Sequence, residues 1–223
     1  RPAINRGSSP STDRLFRNEG IGAGGAPVFR DVSEQAGMRY EGLGLGLVVA
    51  DFNGDGLPDL YGSNDFISSD ILYLNRGDGT FENTIASAMG HTSLFGMGVD
   101  AADVTNDGRV DLLQLDMLPR DNARLKQMLG APDFDKKELS LHPRYGYQLQ
   151  YMRNALQLNM GGGRGGEGRR GENNTAATSL SSPSSLSSPS SPFFSEIGLL
   201  AGIAQTDWSW AALLADYDGD GWK

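Results

Sequence analysis

With 223 residues, the chain is long enough for one domain or one and a half. Its formal net charge of −9 argues against nucleic-acid binding, which needs an excess of Lys and Arg to neutralise phosphates. It has no cysteine and no apolar run of about 18 residues, which excludes disulfides, thiolate metal sites and a membrane-spanning helix. Because it does not begin with Met and stops at Lys223 inside a motif, we expect a fragment of a longer chain, for which the lack of an apolar signal segment decides nothing.

Short strands are predicted around the first of several aspartate clusters. Apolar runs at 47–50 and 60–61 lie on either side of the cluster at 51–59, so the cluster is predicted to be a loop that joins two strands. The next segment, 72–81, has apolar residues near both ends and Asn-Arg-Gly-Asp-Gly between them. Gly and Asp suit a tight turn with positive φ, so this segment is predicted to form a β-hairpin.

The aspartate cluster occurs three times in one register. The copies begin at Asp51, Asp103 and Asp216, and each follows a short apolar run. A phenylalanine lies 22 residues before the first aspartate of every copy; these are Phe29, Phe81 and Phe194. Such regular spacing indicates structural repeats, with part of an earlier copy at 15–18.

Two insertions lengthen the second repeat. The first, 118–152, contains the only convincing helix, with Asp121 as its N-cap and helical composition over 123–129. The second, 161–192, is Gly-rich and then Ser/Pro-rich. It has too little apolar surface to order itself, so we expect it to be disordered.

The three clusters, termed loops one, two and three, have the oxygen-rich composition of calcium sites. Calcium takes six to eight oxygen ligands, which side chains at positions 1, 3, 5 and 9 of a tight loop and the carbonyl of position 7 can supply. A lone cluster of this kind is as readily a solvated turn, but three copies in register favour calcium. The predicted ligands are Asp51, Asn53, Asp55, the carbonyl of Leu57 and Asp59 in loop one; Asp103, Thr105, Asp107, the carbonyl of Arg109 and Asp111 in loop two; and Asp216, Asp218 and Asp220 in loop three.

Helical calcium loops are the main structural alternative. An EF-hand needs a glutamate at position 12, where loop one has Gly62 and loop two has Gln114. The flanks also resemble strands, which disfavours both EF-hand and dockerin-type loops. Thr105 offers loop two a weaker ligand than an amide or carboxylate, and loop three has no ninth residue. Calcium affinity is therefore predicted to fall from loop one to loop two to loop three.

Several motifs resemble those of FG-GAP/VCBS repeats. These are Phe95-Gly96 ahead of loop two, the Asp loops themselves, and the segment at 75–81. The segments at 116–119, 153–154 and 207–210 look closer to bacterial proteins related to cartilage acidic protein. The resemblance implies a β-propeller, or integrin-like blades, with calcium in the loops between strands.

Other motifs are better explained by structure than by chemistry. The Arg-Gly-Asp tripeptide at 76–78 is interpreted as the hairpin turn and not as an integrin ligand. His91 and His142 are far apart in sequence and lack cysteine partners, which disfavours a catalytic zinc site. Trp208 and Trp210 share one face of a predicted strand and are interpreted as core residues, with a sugar-stacking platform as the alternative.

The sequence as a whole predicts an all-β fold of calcium-binding, β-propeller-type (integrin-like) repeats, an incomplete fragment of about three blades with a small helical insertion. The predicted divisions are repeats at 14–160, a disordered insertion at 161–192, and a further, truncated repeat starting at 193–223. We expect a non-catalytic module that presents loops to an unknown protein or carbohydrate partner and is extracellular, periplasmic or on the cell surface. The alternative is the accessory propeller portion of a larger hydrolase or lyase. The aspartate pairs could in principle act as acid and base, but their regular spacing already accounts for them as metal ligands.

Overall fold

The computed structural model describes residues 12–66, 68–128, 148–162 and 192–223. Most of its regular structure is β-strand. The strands are β1 (Phe16–Ile21), β2 (Pro27–Asp31), β3 (Gly44–Ala50), β4 (Asp59–Asn64), β5 (Ile71–Asn75), β6 (Phe81–Asn83), β7 (Thr92–Ser93), β8 (Val99–Ala102), β9 (Asp111–Gln114), β10 (Gln150–Tyr151), β11 (Ala155–Gly162) and β12 (Pro192–Glu196). The helices within these ranges are α1 (Ile85–Ala88) and α2 (Asn122–Met128). The predicted all-β class is confirmed.

The first four-stranded sheet has the order β3-β4-β5-β6, and each strand is antiparallel to the next. Loop one joins β3 to β4, with Ala50 paired opposite Asp59. A tight turn joins β5 to β6, with Asn75 paired opposite Phe81, and the Arg-Gly-Asp tripeptide lies in this turn. Both units predicted from the sequence, the strand–loop–strand and the hairpin, are therefore confirmed.

The second four-stranded sheet repeats the first. Its order is β12-β11-β9-β8, and loop two joins β8 to β9, with Ala102 opposite Asp111. β11 pairs antiparallel with both β9 and β12, as β5 pairs with both β4 and β6. A two-stranded hairpin, β1–β2, precedes both sheets and matches the β5–β6 unit. The internal repeats seen in the sequence thus correspond to repeated sheets.

The strand β12 lies across two predicted boundaries. The sequence places the start of a further repeat at 193, whereas Phe194 lies in the last strand of the second sheet. The 22-residue spacing therefore connects the last strand of one sheet to the loop of the next, and the sequence repeat is out of phase with the sheets. β11 reaches Gly162 and β12 begins at Pro192, so the ends of the segment predicted to be disordered are strand. Residues 163–191 lie outside the described residues.

The residues that lead into loop three differ from the predicted strand. Residues 211–215 form no strand, although the Leu214 N–H group donates a hydrogen bond of 2.7 Å to Asp100 of β8. Trp208 and Trp210 retain 51% and 68% of their accessible surface, so the interpretation of both as core residues is wrong. One side of this segment lies beside the second sheet, and no described element covers the other.

The main core lies between the two sheets. Phe52, the second residue of loop one, meets Phe194 of β12 edge to face, with ring centroids 6.1 Å apart. Tyr61, Leu72 and Leu112 are fully buried in the same cluster. Burial of each large apolar side chain contributes about 2–3 kcal/mol. Because Phe52 belongs to both loop one and this core, the packing fixes the loop relative to the second sheet.

The predicted helix is present where the structure describes it. Asp121 caps α2 by accepting a hydrogen bond of 2.8 Å from the Arg124 N–H group, which confirms it as the N-cap. The predicted helical composition extends to Leu129, which lies outside the described residues. The sequence predicted neither the four-residue α1 nor the parallel pairing of β10 with β7. Both are too short to have a periodic sequence pattern.

Candidate metal-binding loops

Loops one, two and three share a backbone conformation. In each, the fourth and sixth residues have positive φ; they are Gly54 and Gly56, Asn106 and Gly108, and Gly219 and Gly221. Glycine adopts this region without steric cost, and asparagine tolerates it better than most residues. The motif therefore selects one tight turn, and the chain forms it three times.

The first aspartate of each loop holds the turn together. Asp51 accepts hydrogen bonds from the N–H groups of the fourth, fifth and sixth residues of loop one, at 2.7, 3.1 and 2.8 Å. Asp216 accepts the same three bonds in loop three, at the same distances. Asp103 accepts bonds from the fifth and sixth residues of loop two, at 3.1 and 2.8 Å. A carboxylate has about four acceptor positions, so each aspartate retains capacity for a cation.

The backbone N–H groups also lower the pKa of the first aspartate in loops two and three. Those of Gly221, Gly219 and Asp220 lower the pKa of the Asp216 carboxyl. At Asp103, desolvation acts in the opposite direction, but the N–H groups of loop two outweigh it and the pKa is again lowered. Both carboxyls are therefore charged at neutral pH, as a cation ligand must be.

The third and fifth positions converge differently in the three loops. In loop three, carboxylate oxygens of Asp216, Asp218 and Asp220 all lie within 4.8 Å of one another. In loop one, the Asn53 amide donates a hydrogen bond of 2.9 Å to Asp55, which brings those two positions together. In loop two the corresponding pair does not meet: Thr105 is exposed, and the Asp107 carboxylate contacts the Arg109 guanidinium. Each of Leu57 and Arg109, at position 7, donates its N–H group to the aspartate at position 5.

The ninth-position aspartates lie apart from this group. Asp59 and Asp111 are fully buried, whereas the first and fifth aspartates of each loop are partly or fully exposed. Asp59 accepts an N–H bond of 2.9 Å from Phe52 on one oxygen, and Asp111 accepts one of 3.0 Å from Val104. Burial raises the pKa of both carboxyls, against the effect of these N–H groups. Each ninth residue thus closes its loop onto the sheet.

A repeated asparagine completes this closure, and the sequence analysis assigned it no role. The second oxygen of Asp59 accepts an N–H bond from Asn75, and that of Asp111 accepts one from Asn159, both at 2.8 Å. The Asn75 side chain donates to the Pro58 carbonyl at 3.1 Å, and the Asn159 side chain donates to the Val110 carbonyl at 3.2 Å. We call the Asp59–Asn75 and Asp111–Asn159 pairs the clasps. Their signal was available in the sequence as the recurrent Leu-x-Leu-Asn segment.

A buried polar cluster links the two sheets away from the loops. The Asp70 carboxylate accepts hydrogen bonds from the Tyr61 hydroxyl at 2.7 Å, the Gln114 amide at 2.8 Å and the Asn64 N–H group at 2.8 Å. Asp70, Tyr61 and Asn64 belong to the first sheet and the segment after β4, and Gln114 belongs to β9. Burial raises the pKa of Asp70 to about 7 despite these donors. The sequence analysis did not single out any of these residues for function.

Two motifs from the sequence resemblance contact one another. The Asp116 N–H group donates a hydrogen bond of 2.7 Å to the Asn154 side chain. Asn154 in turn donates to the Ile203 carbonyl at 2.8 Å and to the Thr206 hydroxyl at 2.7 Å. Asp116 is buried, and it accepts hydrogen bonds from the Ser93 side chain and from neighbouring N–H groups. These hydrogen bonds attach the segment that precedes loop three to the second sheet.

His91 lies in an ion-pair cluster far from the loops in sequence. Its Nε2 is 3.3 Å from Glu196, which also pairs with Arg153 at 3.0 Å. Burial and the Arg153 charge lower the pKa of His91, and Glu196 opposes them. The Tyr151 ring packs edge-on against His91, with centroids 4.9 Å apart, and lies under the Arg153 guanidinium. The cluster joins β10, β12 and the segment before β7; His142 lies outside the described residues.

Comparisons with known proteins agree with the repeated sheets. The model of the FG-GAP-like repeat matches residues 51–113, which run from loop one through loop two. Human cartilage acidic protein 1 is 36% identical over 91 residues, which cover 40% of this chain and 14% of that protein. Mouse cartilage acidic protein 1 is 33% identical over 90 residues, with the same coverage. The chain thus contains an FG-GAP-like repeat, and these relatives are mammalian, not bacterial.

The matched segment spans about one seventh of the length of these relatives. The similarity to these relatives therefore concerns a part of each protein and not the whole. No helix among the described residues is long and apolar enough to cross a membrane.

Proposed function

We propose that this chain is a non-catalytic calcium-binding repeat module that presents its loops to a protein or carbohydrate partner. The observation that carries the proposal is the threefold recurrence of one turn with carboxylates at positions 1 and 5 and an oxygen-bearing side chain at position 3. In loop three all three are carboxylates, whose oxygens lie within 4.8 Å of one another. Clustered carboxylates repel one another unless a cation neutralises them. Calcium accepts oxygen ligands at flexible geometry, which suits loops that differ at position 3.

The residues that would hold the ions are those predicted from the sequence. Asp51, Asn53 and Asp55 supply loop one, and Asp216, Asp218 and Asp220 supply loop three. Loop two supplies Asp103 and Asp107, with Thr105 between them. Asp59 and Asp111 retain acceptor capacity beside their two N–H bonds, and the position-7 carbonyls complete the sets. A bound ion would cancel the repulsion within each loop and stiffen it.

The proposed organisation follows from the sheets. Residues 14–160 carry the repeats, with a helical insertion near 118–152. A second insertion lies near 161–192, and the segment after it, up to residue 223, is the start of a further repeat. The similarity to proteins named for cartilage favours an extracellular, periplasmic or cell-surface setting. The chain would act there as a calcium-stiffened binding surface.

Calcium titration of three loop variants tests the proposal. Asp55→Ala, Asp107→Ala and Asp220→Ala each remove one fifth-position carboxylate, and each is expected to abolish one calcium site seen by isothermal titration calorimetry. The matched control is Asp78→Ala, which changes an aspartate in the hairpin turn outside the loops. Dissociation constants of roughly 10⁻⁴–10⁻³ M are expected for modules of this kind. The order of affinity is expected to be loop one, loop two, loop three.

Thermal unfolding provides the second measurement. A ligand at 100 times its dissociation constant stabilises the folded state by about 2.7 kcal/mol per site. Calcium is therefore expected to raise the melting temperature of the parent and of Asp78→Ala, and to raise that of each loop variant less. A parent whose melting curve is the same in calcium and in EDTA would contradict the proposal.

A further inference from the structure

Loops one and two form a matched pair with aspartate at positions 1, 5 and 9 and glycine at position 6. Both have positive φ at the fourth and sixth positions, both have a first aspartate that binds backbone N–H groups, and both end in a clasp. Their main differences among the ligand positions are Asn53 against Thr105 at position 3, and Leu57 against Arg109 at position 7. Any difference in cation binding must come largely from these two positions.

Arg109 is fixed at two points. Its guanidinium donates to Oδ2 of Asp107, and its Nε donates a hydrogen bond of 2.7 Å to the Asn159 carbonyl. Asn159 belongs to the clasp of the same loop, so the guanidinium is tied to the rigid part of the sheet. The Arg109 N–H group also donates to Oδ1 of Asp107, at 2.9 Å. Arg109 therefore engages both oxygens of the fifth-position carboxylate.

The equivalent carboxylate in loop one has only neutral partners. Oδ1 of Asp55 accepts the Leu57 N–H group at 2.8 Å, and Oδ2 accepts the Asn53 amide at 2.9 Å. Among the described residues, no positively charged group contacts the fifth position of loop one, whereas loop two has one within the loop itself.

We propose that the Arg109 guanidinium acts as a built-in cation for loop two: it neutralises the loop without metal and lowers its calcium affinity. The proposal rests on the proposed calcium function. A divalent ion in loop two needs the Asp107 carboxylate, and must either displace the guanidinium or bind beside a like charge. Both effects oppose binding, and both weaken as salt screens the charges. Loop two is then an aspartate loop that keeps its shape at low calcium.

The test isolates one loop at a time. In the Asp55→Ala, Asp220→Ala background, which leaves loop two intact, Arg109→Leu installs the residue that loop one has at the same position. Calorimetric calcium affinity is expected to rise by roughly tenfold at low ionic strength. In 0.5 M potassium chloride, the increase in the logarithm of the calcium affinity is expected to fall to less than half of its value at low ionic strength. Arg109→Lys keeps the charge and is expected to keep most of the weak affinity.

The reciprocal variant provides an independent measurement. In the Asp107→Ala, Asp220→Ala background, Leu57→Arg is expected to weaken calcium binding to loop one in the same salt-dependent way. Urea unfolding in EDTA gives a readout that needs no metal: Arg109→Leu is expected to destabilise the calcium-free protein more than the calcium-saturated one. If the parent binds calcium but Arg109→Leu leaves the affinity of loop two unchanged, the inference about Arg109 fails alone. If no loop of the parent binds calcium, the proposed function and this inference fail together.

Discussion

The pH dependence of stability is predicted to centre on Asp70. This carboxyl is fully buried between the two sheets, and burial raises its pKa from 3.8 to about 7. Because the folded protein keeps the proton at a pH where the unfolded chain has released it, the folded state binds more protons across that window. Stability therefore falls as the pH rises from about 4 to about 7, and is flat above it.

The size of the effect follows from the shift. One pKa unit corresponds to about 1.4 kcal/mol, so the shift at Asp70 corresponds to a loss of about 4 kcal/mol in unfolding free energy between pH 4 and pH 7. That is a large fraction of the 5–15 kcal/mol that stabilises typical domains. Asp70→Asn removes the titration and keeps nearly the same shape. Its amide can donate to the Tyr61 hydroxyl, and rotation of the Gln114 amide restores the remaining bond.

Urea denaturation from pH 4.5 to pH 7.5, in EDTA to remove calcium linkage, measures the effect. The parent is expected to lose stability across this range, and Asp70→Asn is expected to lose about 3 kcal/mol less, because part of the shift lies below pH 4.5. Asp78→Asn is the control: its carboxyl is exposed, and the Thr80 hydroxyl lowers its pKa, so its small effect has the opposite sign. Equal slopes for the parent and Asp70→Asn would refute the assignment of the pH dependence to this buried carboxyl.

Three further predictions concern packing, the clasps and the exposed strand face. Phe194→Ala is expected to lower the unfolding free energy by about 3–5 kcal/mol in urea denaturation, because it empties a buried site; Phe29→Ala, at a residue 58% exposed, should cost much less. Asn75→Ala is expected to cost about 1 kcal/mol and to weaken calcium binding to loop one, since it removes the bond to the Pro58 carbonyl. At micromolar concentration the parent is expected to associate through its exposed β3 face, and Leu47→Asp, at a residue 67% exposed, should restore a monomer in sedimentation velocity. A parent that sediments as a monomer would contradict the last of these.

The features predictable from sequence were those encoded within a few residues. The Asp loops, the hairpin at 75–81 and the cap at Asp121 each depend on residues that demand one local backbone conformation. Positive φ at Gly56 and Gly108, for example, follows directly from the glycine at position 6. The repeat spacing then indicated that these local units recur in one architecture.

The features that escaped prediction depend on contacts between distant residues. Asp70 and Gln114 are both polar and both fully buried, and nothing in their immediate sequence distinguishes them from surface residues. The prediction for Trp208 and Trp210 failed in the opposite direction: hydrophobicity alone favoured burial, but the described residues leave more than half of each side chain exposed. The repeats in the sequence are out of phase with the sheets for a related reason. Strand pairing, which assigns Phe194 to the second sheet, cannot be read from spacing.

The structural role of the ninth aspartate changes how strongly the Asp-loop motif supports calcium binding. Asp59 and Asp111 join each loop to the following hairpin through two backbone N–H groups, and both are buried. An acceptor at this position stabilises the fold whether or not a metal binds. An aspartate at position 9 is therefore weak support for a metal site. The support comes instead from positions 1, 3 and 5, whose oxygens lie together in the tight turn. The fifth-position carboxylates each accept the N–H group of position 7, but they place a second negative charge beside the first carboxylate, and the third-position carboxylate of loop three adds another. A bound cation would neutralise this added negative charge. In loop two, the Arg109 guanidinium already supplies a positive charge beside Asp107.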